Sequence, residues 1–116
     1  MNDGTDEQMQ IALCRQHGQD FEPCPPDSKL GVALQTLGKV PVNGLRHPPT
    51  HDTNGWYIWA GEDFSKEEDF FQPLHTSHLA ECLPQAVKFL GLPPGSRFLV
   101  SGDNVDVWFD KSLLNV

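Results

Sequence analysis

The sequence predicts an α+β fold, a single small domain built as a mostly antiparallel sheet packed by helices on one face. Three observations carry that prediction. Short apolar runs of strand character recur along the 116 residues without the alternating strand and helix order of a parallel sheet. Helical spacing is confined to two segments, Thr5–His17 and Leu79–Leu90. Two apolar runs near the C-terminus flank Ser101-Gly102-Asp103-Asn104, a strong hairpin signal. At this length, with 38% hydrophobic residues, one core closes without disulfide or metal staples, so one domain over residues 1–116 is expected.

The elements follow in chain order. Thr5-x-x-Gln8 has the spacing of a capping box, Met9, Ala12 and Leu13 sit at helical intervals, and Gly18 suits the position after the helix end. Phe21–Ser28 (FEPCPPDS) cannot hold a helix, because each proline removes an N–H and extends the residue before it; it reads as an ordered extended crossing. Lys29–Leu37 places Leu30, Val32 and Leu34 on one side at period two, and is expected to be a strand. Lys39–Leu45 continues extended, with Pro41 suggesting an edge or bulge and Asn43-Gly44 a turn.

Arg46–Asn54 (RHPPTHDTN) is polar and proline-broken, an expected exposed loop. Gly55–Ala60 (GWYIWA) then reads as a central strand, with Trp56 and Ile58 on one face and Tyr57 and Trp59 on the other. Gly61–Asp69 is expected to be a solvated acidic loop with a helical turn, after which Phe70, Phe71 and Leu74 return to the core. In Leu79–Leu90 the proline Pro84 is placed in the first turn of a helix that Gly91 closes with a positive φ. Leu92–Gly95 is a turn, and Arg97–Val100 and Val105–Phe109 are the strands of the hairpin.

Charge narrows the function classes. Acidic residues outnumber basic ones by 16 to 8, a formal net charge of −8, whereas a nucleic-acid footprint needs clustered Lys and Arg. No nucleic-acid partner is expected. No apolar run approaches the ~18 residues of a membrane span, and MNDGTDEQ lacks the basic and apolar regions of a signal peptide. Three cysteines without C-x-x-C spacing indicate neither a disulfide framework nor a zinc ribbon. The expectation is a cytoplasmic protein without a membrane partner.

Side-chain spacing offers few candidates for chemistry. His47 and His51 are four apart and His75 and His78 three apart, but the first pair lies in a proline-broken loop and neither carries a motif such as H-E-x-x-H. Cys14 and Cys82 read as helix-packed inert thiols, with Cys24 the most exposed of the three. Glu67, Glu68 and Asp69 form a run, which reads as a solvated face rather than an acid–base pair. No catalytic residue, cofactor or metal ligand is assigned. What is unusual is the density of Arg, His, Trp and Tyr between Asn43 and Glu62, residue types favoured as binding anchors. Arg46 beside tryptophans is expected to be held by a carboxylate, Glu62 or Asp52.

Four words in order, NGLRHPP (Asn43–Pro49), GWYIWAGE (Gly55–Glu62), DFFQPLH (Asp69–His75) and LGLPPGSRFLV (Leu90–Val100), resemble small bacterial proteins of the immunity protein 33-like family, related to the thirty-third class of polymorphic-toxin immunity proteins. The shared pattern is G-W-x-x-x-x-G-E, an apolar helix, then L-x-x-P-x-G-x-x-F, here Gly55, Trp56, Gly61, Glu62, Leu90, Pro93, Gly95 and Phe98. The resemblance covers residues 29–116 as the family core and leaves 1–28, the N-terminal helix and proline-rich crossing, outside it. It implies a non-catalytic protein-binding domain that neutralises a cognate toxin, or a housekeeping relative that kept the fold and binds some other protein; for a toxin partner the negative charge suits a basic surface. The candidate partner-binding residues are Arg46, His47, Trp59, Glu62, Asp63, Glu67, Glu68 and Asp69, with Trp59 as aromatic anchor where exposed. The competing reading is a small-ligand-binding or hydrolytic domain using the Asn43–Asn54 loop and Glu62.

Overall fold

Helix α1 spans Asp3–Gln16 and stops for the reason the sequence supplies. Gly18 adopts φ +67°, the Gln19 N–H reaches Cys14 O at 2.9 Å, and the Gly18 N–H reaches Arg15 O at 3.2 Å, a Schellman ending. The computed structural model describes residues 3–25, 27–62 and 70–114. Six strands follow: β1 (Lys29–Val32), β2 (Val42–Arg46), β3 (Trp56–Ala60), β4 (Gln72–His75), β5 (Ser96–Ser101) and β6 (Asn104–Phe109). They form one sheet in the order β4-β1-β3-β2-β5-β6, in which only the β1–β3 pairing is parallel. None of the described helices is long and apolar enough to cross a membrane.

The larger core lies on the helix-covered face. Leu13 and Cys14 of α1 meet Leu30, Val32, Trp56, Ile58, Phe98 and Val100 of the sheet. Leu79, Ala86, Phe89 and Leu90 close it from above, with Phe89 stacked on Phe98 at 4.2 Å between ring centres. The opposite face carries a smaller cluster of Ala33, Leu45, Trp59, Phe70 and Leu113, with Tyr57 and Phe71 packed against it. Thus β3 is contacted on both faces near the sheet centre, as its apolar run predicts.

Several expectations are corrected. The strand from Lys29 ends at Val32, and Leu34–Thr36 forms a 3₁₀ turn that leaves Leu34 exposed. Buried Thr36 decides this: its hydroxyl donates to Ala33 O at 2.7 Å and accepts from the Ala60 N–H at 2.9 Å. Asn43-Gly44 is not a turn but the middle of interior strand β2, and Pro41 lies just before the ladder instead of marking an edge. Gly44 is needed there because the Phe98 ring occupies the place of a Cβ. The helix expected over Leu79–Leu90 is two pieces, α2 (Leu79–Cys82) and a 3₁₀ segment (Pro84–Phe89). Pro84 drives Leu83 to φ −142°, ψ 68°, since the residue before proline avoids the helical region. Strand β4, which Pro73 disguised, pairs with β1 at the sheet edge.

Gly91 does not take a positive φ. It is small because Phe21 packs over it: a Cβ would lie 2.7 Å from two Phe21 ring carbons and 3.1 Å from Gln10 Cβ. Gly91→Val is therefore expected to lower stability by about 1–3 kcal/mol through overpacking. Lys88→Ala should lose only a cation–π contact with Phe89, about 0.5–1 kcal/mol. In a Phe21→Ala background the Gly91→Val penalty should shrink; urea midpoints showing the same penalty with and without the Phe21 ring would refute this steric reason.

Candidate functional site

The last residue of β2, Arg46, is not the start of a solvated loop but a hub only 3% exposed. Its Nε donates to Asn54 O at 3.0 Å, and its Nη1 donates to Glu22 O at 2.8 Å and Leu92 O at 2.7 Å. The guanidinium lies 5.8 Å from the Trp56 ring centre. The expected carboxylate partner is absent among the described residues. Asp52 sits in the exposed loop beside His51, and Glu62 follows β3 beyond Ala60, which pairs with Val42 at the other end of the ladder from Arg46↔Trp56. Three carbonyls take three of the five N–H donors of this buried cation.

The same hub ties three of the four sequence words together. Trp56 Nε1 donates to Leu90 O at 3.1 Å, the Cys24 thiol reaches the same oxygen at 3.4 Å, and the Cys14 thiol reaches Gly91 O at 3.3 Å. The Gly95 N–H donates to Arg46 O at 2.7 Å, and the His47 N–H to Gly55 O at 2.9 Å. At Gly55, φ is +97° and a Cβ would collide with His47 O, so only glycine fits. Buried Asn54 completes the junction, its amide donating to Ser28 Oγ at 3.1 Å and Thr76 Oγ1 at 2.9 Å while its Oδ1 accepts from the Trp56 N–H at 3.1 Å. No pattern around Asn54 announced this role, because its partners lie 22 and 26 residues away.

Above the hub is a cleft of about 460 Å³ between the proline-rich crossing and the loop after β2. Glu22, Asp27 and Lys29 line one side, His51 and Asp52 the other, and Arg46 lies at its base. His47 and Glu62 are not among its lining residues. His47 instead belongs to the second sheet face, its Nδ1 3.0 Å from Leu113 O and its ring edge-on to Tyr57. The constellation of Arg46, His47 and Glu62 is therefore not assembled at this cleft.

The thiols offer no activated nucleophile. Burial pushes the Cys14, Cys24 and Cys82 thiols above their ordinary range, with the Arg46 charge opposing this at Cys24. Cys24 is half-buried against the core rather than presented to solvent. Among the described residues, no group of three or more His, Cys, Asp or Glu side chains gathers as a metal site. The His75 and His78 rings meet edge-on, 5.7 Å between centres.

Of the candidate partner contacts, Trp59 is 6% exposed and packs edge-on to Phe71, so it supports the second face from within instead of anchoring a partner. Glu62 is exposed. Asp63, Glu67, Glu68 and Asp69 lie outside the described residues. The described residues on either side of them are held, Gly61 by its N–H donating to Pro41 O at 2.7 Å and Phe70 by burial in the aromatic cluster. Among the exposed apolar side chains that sequence reasoning passed over, three share β6: Val105 (38%), Trp108 (43%) and Phe109 (47%). They read as ordinary strand residues until the sheet order makes β6 an edge.

The family model of the Imm33-like domain matches residues 9–110, beginning within α1 and ending one residue after β6. No curated protein and no solved structure matches the chain.

Proposed function

Because the chain belongs to the Imm33-like domain family, we propose that it is a non-catalytic immunity protein that neutralises a cognate toxin by binding it in the cytoplasm. The family match over residues 9–110 is the observation that carries this reading. Two features support binding over reaction. Arg46 is engaged by main-chain carbonyls and the thiols are held protonated by burial, so neither is poised for chemistry. The net charge of −8 includes Glu62, Asp63, Glu67, Glu68 and Asp69 in one short stretch, with Lys66 the single base among them.

That acidic stretch is the proposed toxin-facing surface, and its partner is a basic one. Trp59, His47 and Arg46 are instead engaged within the fold, Trp59 against Phe71, His47 against Tyr57 and Arg46 by three main-chain carbonyls. The cleft above Arg46 is what favours the small-ligand reading, so the experiment separates the two. Affinity capture on the immobilised chain, followed by co-expression with the captured protein, is expected to restore growth that the captured protein alone arrests. Glu67→Lys with Glu68→Lys should slow association roughly tenfold and flatten its salt dependence, because steering acts over a Debye length of about 8 Å at physiological ionic strength. His51→Ala with Asp52→Ala, in the cleft wall, should leave the rate unchanged. The opposite pattern would transfer the site to the cleft.

A further inference from the structure

Arg46 leaves one part of its guanidinium unused. Its Nε and Nη1 are taken by the carbonyls of Asn54, Glu22 and Leu92, whereas Nη2, with two N–H groups, makes no hydrogen bond to the described residues and is not sealed from solvent. The residue is 3% exposed and lines the cleft, as do Glu22 and Asn54, two of the three residues whose carbonyls hold it. Leu92 lies outside that lining. A nearly buried side chain, fixed at three points, thus presents a pair of free donors at the cleft base.

The walls select the rest of the ligand. Among the described residues no carboxylate pairs with Arg46, so its charge stays unneutralised in a buried place and attracts an oxygen anion. Asp52 already lies beside His51 at 3.5 Å. That leaves Glu22 and Asp27 as the wall's acids and Lys29 as its base, none of the three in an ion pair with a described residue. A dianion such as phosphate would meet the two carboxylates, and a bare amine would meet the two cations. A ligand carrying both charges matches the lining. Pro23, Pro25 and Pro49 add apolar ring faces, and about 460 Å³ is within the range of small-molecule sites. We propose that this cleft binds a free α-amino acid with an apolar side chain, its carboxylate on Arg46 Nη2 and its ammonium on the wall of Glu22 and Asp27. The site is separate from the acidic stretch proposed to meet the toxin.

L-phenylalanine, phenethylamine and hydrocinnamate share one side chain and differ in the charges they carry. Titrated into the isotope-labelled chain and followed by NMR, L-phenylalanine is expected to shift the Thr53 and Asn54 amides and the Arg46 Nε–H saturably, with a Kd of about 1 mM or tighter. The amine and the acid should each bind roughly tenfold more weakly, because each leaves one set of the cleft's charges unmet. Glu22→Gln with Asp27→Asn alters two exposed side chains and spares the Glu22 carbonyl that holds Arg46. This double variant should weaken L-phenylalanine roughly tenfold and hydrocinnamate not at all. Should it fail to fold, the ligand series on the unaltered chain decides. No saturable shift up to about 10 mM L-phenylalanine, or an amine or acid bound as tightly as the amino acid, would overturn the proposal. These titrations use the chain alone, so neither result depends on the toxin-binding reading.

Discussion

Replacing Trp56 by alanine is expected to lower the stability of this protein by about 3–5 kcal/mol, the range for truncating a fully buried aromatic side chain. Trp56 is among the largest completely buried residues, set in β3 with its ring 5.7 Å from that of Phe98 and facing Arg46. Truncation removes the ring and opens a cavity whose walls belong to rigid sheet and helix neighbours that collapse poorly. It also removes the indole donor to Leu90 O, leaving that buried carbonyl only the weak Cys24 thiol. Urea unfolding followed by circular dichroism measures the loss, and Trp56→Phe should recover part of it by keeping the apolar contacts without the N–H. A Trp56→Ala midpoint equal to that of the unaltered chain would show that β3 does not organise the core.

Arg46→Met is the second large effect expected, again about 3–5 kcal/mol. The substitution keeps most of the apolar stem but orphans the carbonyls of Glu22, Asn54 and Leu92, each worth about 1–3 kcal/mol when left unsatisfied in a buried site. Relief of the desolvated guanidinium offsets part of that sum. Arg46→Lys should rescue little, because a compact ammonium cannot span acceptors on three separate segments as a planar fork does. Since those segments are the proline-rich crossing, the loop before β3 and the turn before β5, exchange of amides in all three should quicken together. If Arg46→Lys is as stable as the unaltered chain, the carbonyl clamp is not what holds this junction.

The failed expectation about Arg46 shows where reading the sequence stops. A buried cation among tryptophans demands acceptors, and the sequence displays its carboxylates openly, so Glu62 and Asp52 were the visible candidates. Main-chain carbonyls are equally good acceptors but every residue has one, and which of them converge depends on how distant segments pack. Gly44 and Gly91 tell the same story. Each reads locally as a turn or helix-end glycine, yet each is small because an aromatic ring from elsewhere, Phe98 or Phe21, lies against its backbone.

The sequence by itself determined the α+β class, the ending of α1 at Gly18, the two-faced strand Trp56–Ala60 and the C-terminal hairpin. Those features rest on periodicity and turn chemistry contained within about ten neighbouring residues. It also carried the family, through words whose spacing survives without knowledge of contacts. The tertiary structure alone decided that Arg46 and Trp59 face inward, that the cleft excludes His47 and Glu62, and that β6 lies at an edge with its apolar side chains exposed. Burial and edge position are properties of pairing between strands far apart in the chain. A period-two pattern states which residues share a face, but not what that face meets.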